Sequence, residues 1–116
     1  MAFTHTPAAP ATHTSRQADV WIAPAALVRM FGEPAEGDGY KISGQYVFVG
    51  ADGGVARVYD WKATSLYEEE GGVSPGAFWA TTRRVHFNVG AHDRATAARL
   101  VSWLCARGAR TNAWGL

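Results

Sequence analysis

Apolar and polar positions alternate most clearly over Lys41-Ile42-Ser43-Gly44-Gln45-Tyr46-Val47-Phe48-Val49, where Ile42, Tyr46 and Phe48 share one side. That period predicts a half-buried strand. Ala51-Asp52-Gly53-Gly54 follows as a turn, and Val55-Ala56-Arg57-Val58-Tyr59-Asp60-Trp61-Lys62 predicts the return strand of a hairpin. Arg84-Val85-His86-Phe87-Asn88-Val89 alternates again, with Val85, Phe87 and Val89 on one face and Arg84, His86 and Asn88 on the other; Gly90 ends it. Helical spacing replaces this period in two places. Pro24 suits the first position of a helix carrying Leu27, Val28 and Phe31, which Gly32 and Pro34 terminate. Asp93 suits an N-cap, Ala97, Leu100, Val101 and Leu104 form a buried stripe, and Gly108 follows Arg107 as a stop. Trp103 borders that stripe, one turn from both Arg99 and Arg107. Ala18 to Ile22 predicts a short strand, and Ser74-Pro75 predicts one turn of helix bearing Phe78 and Trp79.

The order helix, hairpin, irregular segment, strand, helix predicts an α+β fold. It calls for a small antiparallel sheet of three to four strands with helices packed on one face. Residues 1–18 lack apolar periodicity and predict a disordered tail. Residues 19–110 are the single domain, and 111–116 a second tail. Glu68-Glu69-Glu70-Gly71-Gly72 predicts a solvated loop.

Charge adds an asymmetry to this outline. Residues 1–82 carry five cations against nine acids, whereas residues 83–116 carry six arginines against Asp93 alone. A basic face of this kind suits an anionic ligand or an acidic partner. Cys105 is the single cysteine, so no internal disulfide forms, which fits a reducing cytoplasm. Neither a membrane-length apolar run nor a secretory leader is evident, so no membrane association is expected.

Chemical motifs are sparse. Gly37-Asp38-Gly39 has neither dinucleotide nor P-loop spacing, though Asp38 remains a hydrogen-bond acceptor beside glycines that permit close approach. His86, His92 and Asp93 match no zinc spacing, and no Gly-x-Ser-x-Gly nucleophile elbow occurs. No catalytic residue, metal or cofactor is therefore assigned. Tyr59 and Trp61 alternate with Asp60 and Lys62, either as core aromatics with a surface charge pair or as a stacking wall with a nearby cation. Five tryptophans in 116 residues imply exposed aromatic surface, which favours interfaces and predicts a homodimer.

Gly37-Asp38-Gly39-Tyr40-Lys41, Tyr59-Asp60-Trp61-Lys62 and Val85-His86-Phe87-Asn88-Val89-Gly90 before a helix resemble a family of small, uncharacterised bacteriophage proteins. That family joins a GDGYK-like loop, a YDWK-like hairpin end and a late strand reading roughly HIGG. This chain departs from it at Asn88-Val89-Gly90. The resemblance spans about residues 30–105 and implies phage origin and expression in the bacterial cytoplasm. It transfers no activity and no functional residue.

Three functions follow as expectations. The first is a non-enzymatic protein that sequesters a small anionic, nucleotide-like ligand, such as a host defence signal, through Arg84, His86, Asn88, Lys62, Tyr59, Trp61 and Asp38. The second is an inhibitor or adaptor that docks on a host protein. The third is a small nucleotide hydrolase. Nucleic-acid binding is disfavoured by a net charge of only +1.

Overall fold

The computed structural model describes residues 2–67 and 72–111. Its elements run β1 (Phe3–His5), β2 (Ser15–Ile22), α1 (Pro24–Phe31), β3 (Ala35–Glu36), β4 (Gly44–Gly50), β5 (Val55–Tyr59), α2 (Pro75–Trp79), β6 (Val85–Ala91) and α3 (Arg94–Cys105). The six strands form one antiparallel sheet in the order β1-β4-β5-β6-β2, with β3 also pairing β4. The fold is α+β, as expected, but the sheet exceeds the expected three to four strands.

Of the two additional strands, β3 is Ala35–Glu36 and β1 comes from the expected tail, which also supplies the start of β2. Phe3–His5 pairs with Phe48–Gly50, and β2 begins at Ser15 rather than near Ala18. Backbone ladders hold these residues, and ladder bonds need no apolar alternation to form. Phe3 supplies the one fully apolar anchor of β1: it is buried 5.9 Å from the Trp103 ring. A register shift between Arg16 and Ala18 further hides the start of β2, because a bulge interrupts the two-residue period.

The expected hairpin is β4–β5, with Val49 opposite Val55 and Gly50 N donating to Gly54 O at 2.8 Å. Its second strand stops at Tyr59, short of Lys62. Asp60 leaves the ladder and is fully buried, so it forms no surface pair with Lys62. Its carboxylate accepts from Ser43 N (2.9 Å), Gly44 N (3.0 Å) and Ser43 Oγ (2.8 Å). Ser43 Oγ in turn accepts from Trp79 Nε1 at 3.0 Å. Gly44 is required here, since a Cβ would lie 2.7 Å from Trp79 Cζ2.

Helices cover one face of the sheet. Ser74 Oγ caps α2 at Ala77 N, and Asp93 caps α3 by accepting from Thr96 N at 2.7 Å. Leu27 of α1 and Leu100, Val101 and Leu104 of α3 pack on Val20, Phe48, Val58, Phe87 and Val89. Half-buried Trp103 meets Phe31 and Phe48, each at 5.7 Å, and Arg107 lies 3.8 Å over its ring. Arg99 turns instead to Asp52 at 2.9 Å. Beyond α3, Arg110 bridges the backbone of Trp21, adding a contact along the β2 edge. Residues 68–71 of the expected loop and residues 112–116 of the expected second tail lie outside the described residues.

Leu104→Ala is expected to cost about 2–5 kcal/mol, because it empties a fully buried site. Asp60→Ala is expected to cost about 3 kcal/mol, since each buried donor left unpaired costs roughly 1–3 kcal/mol. Urea unfolding measures both. A loss below about 1 kcal/mol for Asp60→Ala would show that its network is not structural.

Candidate functional site

The face of the sheet away from the helices displays two cross-strand rows. In the first, the register sets Gln45, Tyr59, Asn88 and Asp19 side by side on β4, β5, β6 and β2. In the second it sets Val47, Arg57, Gly90 and Arg16 side by side. His86 lies opposite Trp21, with the rings 5.2 Å apart. Neighbouring positions of this kind bring side chains from distant parts of the chain into contact.

A groove of about 410 Å³ opens here, lined by Arg16, Tyr59, Trp61, His86 and Asn88. Tyr59 is buried while Trp61 is 44% exposed, and their rings meet nearly edge to face at 6.5 Å. Arg57 lies 4.1 Å over the Tyr59 ring and is held by Thr14 Oγ1 (3.2 Å) and Gln45 Oε1 (3.1 Å). Gly90 makes room for this stack: a Cβ there would press on both Tyr59 and Arg57 at 3.3–3.4 Å. The Asn88 residue is 6% exposed, yet its carboxamide has no hydrogen-bond partner among the described residues. An amide in a groove wall with unused donors and acceptors has capacity to read a ligand edge.

Asp19 organises the polar end of the groove. Its Oδ1 accepts from Arg16, with Nε at 3.2 Å, and from His86 Nε2 at 2.7 Å. Partial burial pushes the Asp19 carboxyl upward, but the Arg16 and His86 hydrogen bonds and charges outweigh it, and the net shift is downward. Arg16 is thereby fixed in direction with its charge partly compensated, whereas Arg57 has no acidic partner among the described residues.

Four of the seven expected residues, Tyr59, Trp61, His86 and Asn88, meet in this groove. Three do not. Arg84 precedes the first ladder pair, Ile22 with Val85, so the pleat does not direct it; its Nε donates to Gly108 O at 2.9 Å. Lys62 has left the strand with a φ of 56°, and its ammonium sits 5.8 Å from the Trp61 ring and 4.9 Å from Tyr67. Asp38 is committed to its own loop, accepting from Ile42 N (2.9 Å) and Tyr40 N (2.8 Å), bonds that lower its carboxyl pKa.

Arg16, Asp19 and Arg57 are additions that sequence reasoning passed over. Arg57 alternates with Tyr59 in the predicted strand and was legible by that pattern. Arg16 was obscured by the bulge beside it. Burial raises the Cys105 thiol pKa, which disfavours the reactive thiolate. Among the described residues, no group of three or more His, Cys, Asp or Glu side chains is placed to hold a metal ion, and no helix is long and apolar enough to cross a membrane. No protein-family model matches the chain, and no curated protein matches its sequence.

The lowered Asp19 pKa makes a signed prediction. Its stabilising contribution is complete above the unfolded value of about 3.9 and disappears as pH falls through the lower folded value. Thermal melts of the wild type and Asp19→Asn from pH 6 to pH 2, about the span that brackets a carboxylate titration, should converge at the acid end. Parallel curves throughout would show that Asp19 does not contribute to this acid limb.

Proposed function

We propose that the groove on the helix-free sheet face binds a small, anionic, ring-containing ligand without turning it over. The observation that carries this reading is the convergence in one groove of the Asn88 carboxamide, which makes no hydrogen bond to the described residues, with the Tyr59–Trp61 wall and the Arg16–Asp19–His86 cluster. In this reading the ligand ring packs against the aromatic wall, where stacked or edge-to-face contact is favourable. Asn88 donates to and accepts from the ring edge. Arg57 and Arg16 face the anionic group, and Asp19 holds Arg16 in position. The groove volume falls within the roughly 300–1,000 Å³ of ordinary ligand pockets. A nucleotide, such as a host defence signal, carries both a ring and an anionic group, and sequestration is the outcome in this reading.

A second reading is favoured by the groove's rim. Tyr40 (52% exposed) packs 5.1 Å from Tyr67, and Lys41 and Lys62 flank Trp61. Exposed aromatics among cations suit a protein interface, either with a host protein or with a second copy of this chain. A homodimer in light scattering at tens of micromolar that Trp61→Ala converts to monomer would support it. A monomeric wild type would reject the second-copy version.

Calorimetry with cyclic dinucleotides, cyclic mononucleotides and ADP-ribose derivatives tests the principal reading, beside mass spectrometry of compounds released from denatured protein. Saturable heat with one class is expected. Asn88→Ala and Arg57→Gln should each weaken binding about tenfold to a hundredfold, as loss of a buried or charge-assisted hydrogen bond does. The absence of heat with every class and of any released compound would reject it. Steady consumption of a bound compound would show an enzyme instead.

A further inference from the structure

A second concave site lies where the end of β2, the first turns of α1, the segment before β6 and the turn after α3 converge. Its volume is about 500 Å³, and four of its lining residues are Arg29, Arg83, Arg84 and Arg107. Among the described residues, no acidic side chain lines it. None of the four forms an ion pair among the described residues, whereas Arg16 and Arg99 do. The site shares no residue with the sheet-face groove.

Two of these guanidinium groups are fixed by neutral partners. Arg84 Nε donates to Gly108 O at 2.9 Å. Arg107 Nη1 donates to Trp103 O at 3.0 Å while the group stacks over the Trp103 ring. Each is thus oriented by a single nitrogen, and its remaining N–H donors are unspent among the described residues. Arg29 and Arg83 make no side-chain hydrogen bond among those residues, and Ala25 and Ala26 leave the wall low. Gathering four like charges in one cleft raises the free energy of the empty site, and an oxyanion relieves it. Planar forks with spare parallel donors match phosphate oxygens, and four cations call for more charge than one carboxylate carries.

We propose that this arginine cleft is a binding site for a multiply charged phosphate group, with diphosphate as the simplest case. The proposal does not depend on the sheet-face groove being occupied.

Titration calorimetry with inorganic pyrophosphate at low salt tests it. One saturable site is expected, with affinity that falls steeply as salt is added. Arg83→Gln, Arg84→Gln and Arg107→Gln should each weaken binding about tenfold or more. Arg99→Gln, outside the cleft, and Asn88→Ala, in the groove, should leave it unchanged. Pyrophosphate should raise the melting temperature of the wild type more than that of Arg83→Gln, a readout on protein shown to be folded. No saturable binding would overturn the proposal, as would an equal loss with Arg99→Gln. Loss with Asn88→Ala but not with the cleft variants would move the anion to the groove and overturn it too. Preference for DNA over pyrophosphate, with affinity rising with strand length, would replace it with a nucleic-acid surface.

Discussion

Asp60 is a buried carboxylate that takes the Ser43 and Gly44 amides and the Ser43 hydroxyl, and Ser43 then takes the Trp79 indole. This chain of bonds joins the end of one hairpin strand to the start of the other and ties both to α2. A carboxylate removed from water needs such donors to be tolerated at all. By drawing Asp60 inward, the network sets its two neighbours. Tyr59 and Trp61 both line the open-face groove, and the aromatic wall exists because the residue between them is anchored. A structural carboxylate thus positions groups that it does not touch.

The open face and the arginine cleft divide the chain's cations between different surroundings. On the face, Arg16 is paired with Asp19, and Arg57 is stacked on Tyr59. In the cleft, four arginines meet without an acid among the described residues. Of the six arginines after residue 82, Arg83, Arg84 and Arg107 line the cleft, while Arg99 is paired with Asp52. Arg84 and His86, two residues apart, belong to different sites because the ladder begins only at Val85.

Much of this architecture is legible in the sequence wherever side chains carry the signal. The hairpin, the Pro24 helix start, the Ser74 and Asp93 caps and the Leu100–Leu104 stripe each follow from one residue pattern and its local physics. The sheet-face placement of Tyr59, His86 and Asn88 follows from strand alternation. Elements built from backbone pairing were harder to read. β3 has two residues, β1 has three, and β2 starts beside a bulge. The burial of Asp60 is not legible because its donors come from residues 43 and 44, and pairings across such a separation leave no mark in local spacing. Arg84 lies one residue before the strand that its alternation predicts it to join.

One edge strand of this sheet, β2, is formed from residues 15–22, while the strand it pairs with among the described residues is formed from residues 85–91. A ribosome therefore delivers β2 long before β6, and the Arg110 bridge that covers Trp21 arrives later still. Val20 and Ile22, both buried in the finished protein, have no sheet to join during that interval. Closure over long sequence separations is slow compared with local hairpin formation. The nascent chain therefore carries Val20 and Ile22 without their ladder partners until residues 85–91 have been made.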